Sequence, residues 1–253
     1  MATGMGDGPM MIRVTDFSKA YGRTVAVDGI SFDVGGGQIL GLLGPNGAGK
    51  TTTLRTLAGI LLPTRGQLWV DGCDVVRQAI CAKQRLAYVP DEPGLFEALT
   101  VWEHLQFTAA VYRIRDFASQ ANELLQRFEL DSQRDLVVHE LSRGMRQKVA
   151  IVCAYLQAPR AMVFDEPLTG LDPRGIRTVK ESIRQHAAAG MTAIVSSHLL
   201  PLVEDLCTQL LVLHQGRVRF QGSIDQARAL LAGSQRPASL EEVFFQITRD
   251  DQR

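Results

Sequence analysis

Eight consecutive residues, Gly44-Pro45-Asn46-Gly47-Ala48-Gly49-Lys50-Thr51, carry the clearest chemistry in the chain. Glycines let a backbone curl until successive N–H groups converge on one point, which suits an anion. A helix starting just beyond them adds unpaired donors and the positive end of its dipole. Lys50 would reach the β- and γ-phosphates of a nucleotide, and the Thr51 hydroxyl would take a place on Mg2+. A glycine-rich turn with a surface lysine has similar letters, so the flanks decide. Ile39-Leu40-Gly41-Leu42-Leu43 reads as a buried strand before the loop, and Thr52–Leu57 as the start of a helix after it. Strand, loop, Lys-Thr and helix together predict a site for a nucleoside triphosphate.

Two adjacent carboxylates come next in importance. Met162-Val163-Phe164 is an apolar strand that ends in Asp165-Glu166-Pro167. In a parallel sheet such a strand delivers both groups to the carboxyl edge, where ligands bind. Asp165 would hold Mg2+, directly or through water. Glu166 would act as general base or orient the water that attacks the γ-phosphate. Acidic strand ends are common, and this one gains weight from following a phosphate loop. Leu141-Ser142-Arg143-Gly144-Met145-Arg146-Gln147-Lys148, read alone, is a capped helix start. His198, in Ser196-Ser197-His198, closes a later strand, where a lone histidine is usually structural. His104, His139, His186 and His214 are assigned structural or surface places.

The elements that must position these groups follow from periodicity. Ile12–Phe17 reads as a strand, and Ile30, Phe32 and Val34 alternate with Ser31 and Asp33 as a half-buried antiparallel one. Leu68-Trp69-Val70 with Asp71-Gly72 reads as an edge strand and turn. After Leu86-Ala87-Tyr88-Val89 the period changes from two to 3.6. Thr100 and Glu103 have the form of a capping box, and Val101, Leu105, Ala109 and Tyr112 follow at helical spacing. Phe117, Ala121, Leu124, Leu125 and Phe128 mark a second amphipathic helix. A third, capped by Ser142, would turn Val149, Val152, Cys153 and Leu156 inward. Asp172-Pro173 then caps a helix lined by Ile176, Val179 and Ile183. Thr192–Val195 is a strand, Leu199–Leu206 a short helix, and Gln209–His214 with Arg217–Phe220 a hairpin. Ser223 with Gln226 and Ser239 with Glu242 form two more capping boxes near the end. The fold class is α/β: a parallel-sheet core, an antiparallel β subdomain and a helical insertion.

Bulk properties narrow the options. At 253 residues the chain can bury a large core. Net charge is zero, so no basic excess points to nucleic acid. Cys73, Cys81, Cys153 and Cys207 are widely spaced, form no C-x-x-C and sit in or beside apolar segments, so buried or isolated thiols in a reducing cytosol are expected, without zinc. Met1 to Pro9 is expected to be a disordered tail and not a secretory signal. No run reaches the roughly 18 apolar residues of a membrane span, so any membrane role needs a partner.

The order of phosphate loop, helical insertion, Leu-Ser-x-Gly motif, Asp-Glu strand and His198 resembles the ATP-binding cassette (ABC) ATPases over nearly the whole chain. The resemblance implies the ABC ATPase fold in one domain. Residues 1–90 and 159–222 would form the nucleotide-binding core with its β layer. Residues 91–158 would be the helical subdomain and 223–253 a carboxyl-terminal extension. It implies an Mg-dependent ATPase with ATP and Mg2+ bound. Lys50, Glu166 and His198 would be catalytic, His198 on the γ-phosphate. Tyr21 would stack on adenine. Gly44, Pro45, Asn46, Gly47, Ala48, Gly49, Lys50, Thr51 and Thr52 would hold the phosphates, with Ser142 and Gly144 supplied by a second ABC subunit. Thr51, Asp165 and Asp91 would serve the metal. Asp91 stands where the family usually has Gln, and Arg143 and Met145 depart from its LSGGQ signature. Leu168-Thr169-Gly170-Leu171-Asp172 matches the segment that crosses between subunits. The tail Ser239-Leu240-Glu241-Glu242-Val243-Phe244 is similar to that of drug- and polysaccharide-exporter ATPases. The expected role is therefore the ATPase subunit of an exporter. It would sit at the cytoplasmic face of the cell membrane on a separate permease, with no nucleic acid involved. The rival expectation is a soluble, non-transport ABC ATPase acting on ribosomes or another macromolecular complex.

Overall fold

The structure is a computed structural model and describes residues 10–229 and 239–249; the expected Met1–Pro9 tail lies outside them. The chain opens with strands β1 (Met10–Tyr21), β2 (Thr24–Gly35) and β3 (Ile39–Leu43), then helix α1 (Lys50–Leu57). Strands β4 (Arg65–Val70) and β5 (Cys73–Asp74), helix α2 (Ala79–Arg85) and strand β6 (Leu86–Val89) follow. Helices α3 (Val101–Tyr112), α4 (Phe117–Arg127) and α5 (Arg143–Leu156) come next. Strand β7 (Ala161–Asp165), helix α6 (Pro173–Ala188), strand β8 (Thr192–Ser196) and helix α7 (Leu200–Leu206) return to alternation. Strands β9 (Gln209–His214) and β10 (Arg217–Ser223) and helices α8 (Ile224–Ala229) and α9 (Leu240–Arg249) complete it.

The strands form two sheets, one of order β2-β1-β4-β5 and one of order β10-β9-β3-β8-β7-β6. The first is antiparallel. In the second all neighbours are parallel except the β9–β10 hairpin. Strands β3, β7 and β8 are buried along their whole length, as parallel strands covered on both faces must be. Their alternate side chains serve two different cores. Leu40, Leu42, Val163 and Ile194 face Phe17, Phe32 and Leu54 on the antiparallel-sheet side. Ile39, Leu43, Met162, Phe164 and Val195 face the side that holds Leu105, Phe128 and Val152 of the helical region. The central sheet is thus the shared wall of two hydrophobic cores, and its carboxyl edge is fixed from both faces.

Two expectations need correction. Strand β4 is not an edge: it lies between β1 and β5, with Leu68 opposite Val14 and Trp69 opposite Asp74. The two-residue β5 is too short to leave a periodic signal. The cysteines are not all isolated thiols, because Cys73 and Cys81 form a disulfide. Strand β5 and α2 turn back on each other and bring their Cα atoms to 5.9 Å, within disulfide reach. Cys153 and Cys207 are free. The caps do form as read. Thr100 Oγ1 accepts from the Glu103 amide at 3.1 Å while the Glu103 carboxylate accepts from the Thr100 amide at 2.8 Å. Asp172 accepts from the Gly175 amide at 2.8 Å at the start of α6.

Candidate active site

The phosphate loop is wedged between strands. Gly44 and Gly49 have φ of 156° and 101°. A Cβ on Gly44 would sit 2.4 Å from the Leu213 carbonyl oxygen, and one on Gly49 2.7 Å from that of Ala26. Only glycine fits either place. Because Gly49 is also the N-cap of α1, no side chain caps the first turn of that helix. The amides ahead of Thr53, whose own amide donates to the Gly49 carbonyl at 2.9 Å, are thus left without a side-chain cap, an arrangement suited to phosphate.

Lys50 is 9% exposed. Its ammonium folds back onto the loop and donates to the Gly44 carbonyl at 2.6 Å and that of Pro45 at 3.2 Å. Burial lowers its pKa, and the nearby charges of Glu166 and Asp165 pull in the opposite sense. Thr51 and Thr52 are half-buried beside it.

The parallel register assembles the acidic side. Asp165 lies opposite Ser196 on β8, and the Ser196 hydroxyl donates to Asp165 Oδ1 at 2.7 Å. Tyr88, from β6 on the other flank, donates its hydroxyl to Asp165 Oδ2 at 3.4 Å. Burial raises the Tyr88 pKa, partly offset by its hydrogen bond with Arg55. Asp165 is therefore a buried carboxylate, 4% exposed, with both oxygens held. Neither Tyr88 nor Ser196 was singled out as Asp165's partner from the sequence. The available signal was their place near the ends of strands flanking the acidic one.

Glu166 has φ of 50°, a left-handed backbone that costs a bulky residue energy and recurs at functional sites. The Ser196 carbonyl and hydroxyl hold its amide at 3.1 and 3.2 Å. The turn carries its carboxylate to His198, with Oε2 2.9 Å from Nδ1 and 3.4 Å from the His198 amide. A proton on Nδ1 satisfies that contact. A cavity of about 200 Å³ lies beside this pair, lined by Gly44, Pro45, Asn46, Ser197, His198 and Phe244 of α9 among others.

The remaining predicted residues lie elsewhere. Tyr21 ends β1, 48% exposed, with the Lys19 ammonium 5.1 Å from its ring centre. Ser142 is exposed and caps α5, its hydroxyl accepting from the Met145 amide at 3.2 Å. Gly144 packs so close to the next loop that a Cβ would be 2.6 Å from the Gly170 carbonyl oxygen. No hydrogen bond among the described residues joins Ser142 or Gly144 to the phosphate loop. The Asp91 carboxylate accepts from Arg143 Nη2 at 3.0 Å. One chain thus brings together Lys50, Asp165, Glu166 and His198, and leaves the Ser142 side in solvent.

Residues 27–169 match the family described as ABC transporter. The ABC-type transporter ATP-binding protein EcsA of Bacillus subtilis is 31% identical over 243 residues, covering 95% of this chain and 98% of that protein. The Nod factor export ATP-binding protein I of Ralstonia nicotianae is 37% identical over 221 residues, covering 87% and 68%. A solved structure described as the ATP binding subunit of an ABC transporter superposes with a TM-score of 0.89 at 33% identity, covering 94% of this chain and 99% of the other. The rival expectation of a soluble, non-transport cassette acting on ribosomes or another macromolecular complex finds no support among these relatives. Since the family match takes in more than half of the chain and EcsA aligns along nearly all of it, the chain belongs to the ABC transporter family and is one of its ATP-binding proteins.

Proposed function

We propose that the chain is the ATP-hydrolysing subunit of an exporter, paired head to tail with a second ABC subunit and coupled to a separate permease. The observation that carries hydrolysis is the 2.9 Å contact of Glu166 with His198 beside the buried Lys50 and Asp165. In this reading the uncapped first turn of α1 and the loop amides bind the phosphates. Lys50 exchanges its two carbonyl partners for phosphate oxygens, to which its charge is better suited. Glu166 takes a proton from water as the water oxygen bonds to the γ-phosphorus, and the bond to the β-phosphate oxygen breaks to leave ADP and phosphate. His198 keeps the Glu166 carboxylate aimed.

The residues present fit magnesium. Among the described residues no cluster of three His, Cys, Asp or Glu side chains forms a protein cage, and magnesium needs none. It takes one or two carboxylates, with phosphate and water as the rest. Thr51 and Asp165 would hold it, Asp165 steadied by Ser196 and Tyr88. When bound, the ion neutralises charge on the phosphates.

The exporter reading is supported by the Nod factor export relative. Among the described residues no helix is long and apolar enough to cross a membrane. The permease would therefore place the chain at the cytoplasmic face, gripped by the groove near Asp91 and the helical region. The Ser142 and Gly144 side would close over the phosphate loop of the second subunit. Replacing Glu166 with Gln tests the chemistry: turnover should fall about 100- to 10,000-fold, while ATP-bound dimer accumulates in sedimentation. Surviving turnover would remove Glu166 from the role. A polytopic membrane protein should co-purify from detergent-solubilised membranes, and ribosomes in its place would overturn the exporter assignment.

A further inference from the structure

The two departures from the family pattern touch each other. Arg143 is the first residue of α5, and Asp91 belongs to Pro90-Asp91-Glu92-Pro93, which leaves β6 toward the helical region. Their side chains pair at 3.0 Å, each about half exposed. One helical turn along α5, Gln147 reaches the same loop and donates from Nε2 to the Pro90 carbonyl at 3.2 Å. Residues four apart share a helix face, so this face of α5 holds the loop at two points. The stem of Arg143 also lies against the loop between β7 and α6, since a Cβ on Gly170 would be 3.2 Å from Arg143 Cδ. Arg143 therefore joins three segments: the loop of residues 90–93, the α5 start and the loop that follows Glu166.

We propose that the Arg143–Asp91 ion pair is a lock that ATP opens: on pairing, Arg143 leaves Asp91 for the γ-phosphate of ATP held by the second subunit, and the Pro90–Pro93 loop is released from α5 except at Gln147. This rests on the head-to-tail pairing proposed above. The exchange has a physical direction. A half-exposed ion pair is screened by water and salt and holds weakly. A triphosphate offers a guanidinium several charged oxygens in the fork geometry it matches best. Ser142 and Arg143 are both exposed on the same helix start, so the Arg143 side chain is open to solvent on the side of the Ser142 cap. Asp91 acts as the competitor of the phosphate for one guanidinium, not as a metal ligand. The loop's freedom is thereby tied to occupancy of the opposite site.

The test uses the full chain in the Glu166→Gln background, reading by sedimentation the ATP concentration at half-maximal dimerisation. Asp91→Asn removes the competitor and should lower that concentration about threefold or more. Arg143→Gln removes the phosphate ligand and should raise it about tenfold, with Arg143→Lys falling between. Opposite shifts are the signature, because a merely structural pair would move both variants the same way. Shifts of the same sign, or none, overturn the proposal. A rise in Asp91→Asn also overturns it, since that is the behaviour of a metal ligand. If Glu166→Gln itself forms no dimer with ATP, the pairing reading falls and takes this proposal with it. If it dimerises indifferently to Asp91 and Arg143, the proposal falls alone. Both side chains are about half exposed, so the variants should fold, and thermal melting confirms it.

Discussion

On the phosphate-loop side, Lys50, Asp165 and Ser196 are 9%, 4% and 0% exposed, and each polar group is already held. On the signature side, Ser142 is exposed and the Arg143 side chain is 54% exposed. The first side is fixed by strand register, since β6, β7 and β8 run parallel and present Tyr88, Asp165 and Ser196 near one edge. The second rests on one helix start and one ion pair. A site finished on one side and open on the other is suited to being completed by another surface.

Substitutions can break or sharpen this contrast. Lys50→Ala removes the buried cation, and charged hydrogen bonds of that kind carry roughly 10- to 100-fold in ATP affinity, measurable by calorimetry on the monomer. If affinity holds, the buried side is not the binding side. Ser196→Ala strips Asp165 of its closest donor and should cost about 2 kcal/mol in denaturant unfolding, because the carboxylate stays buried. Gly144→Ala drives a methyl toward the Gly170 carbonyl oxygen and should cost about 1.5 kcal/mol. A neutral result would mean the open side yields freely, which sharpens the contrast further. Smallest, Thr100→Ala deletes the α3 cap for about 1 kcal/mol. The Thr100 amide, and next its hydroxyl, hold the Glu103 carboxylate below its usual pKa. Its support is full above the unfolded value and fades as pH falls through the folded one. The deficit of Thr100→Ala should therefore shrink in acid-titrated melts.

Much of this was legible in sequence because local chemistry and global fold agree. The loop could be read because Gly44 and Gly49 occupy backbone that side chains cannot enter. The helices could be read because Leu105, Leu124 and Val152 keep the helical period. What was not legible depended on pairing across distance. Helix α2 buries only Ala82 and so carries almost no stripe. Strand β4 looked like an edge because its second neighbour is two residues long. The Cys73–Cys81 bond needed the turn between β5 and α2. Tyr88 and Ser196 became partners of Asp165 only through strand register, and the Asp91–Arg143 pair joins residues far apart in the chain.

Helix α9 is anchored in the core by Leu240 and Val243, 2% and 1% exposed, while Phe244 forms one wall of the cavity shared with Pro45 and His198. Its neighbour Phe245 points half outward at 50% exposure. Adjacent positions on one helix thus face the loop of residues 44–51 and the solvent. A fluorophore placed at residue 245 would report from outside on the cavity beside Pro45 and His198, without touching any group proposed to bind or react.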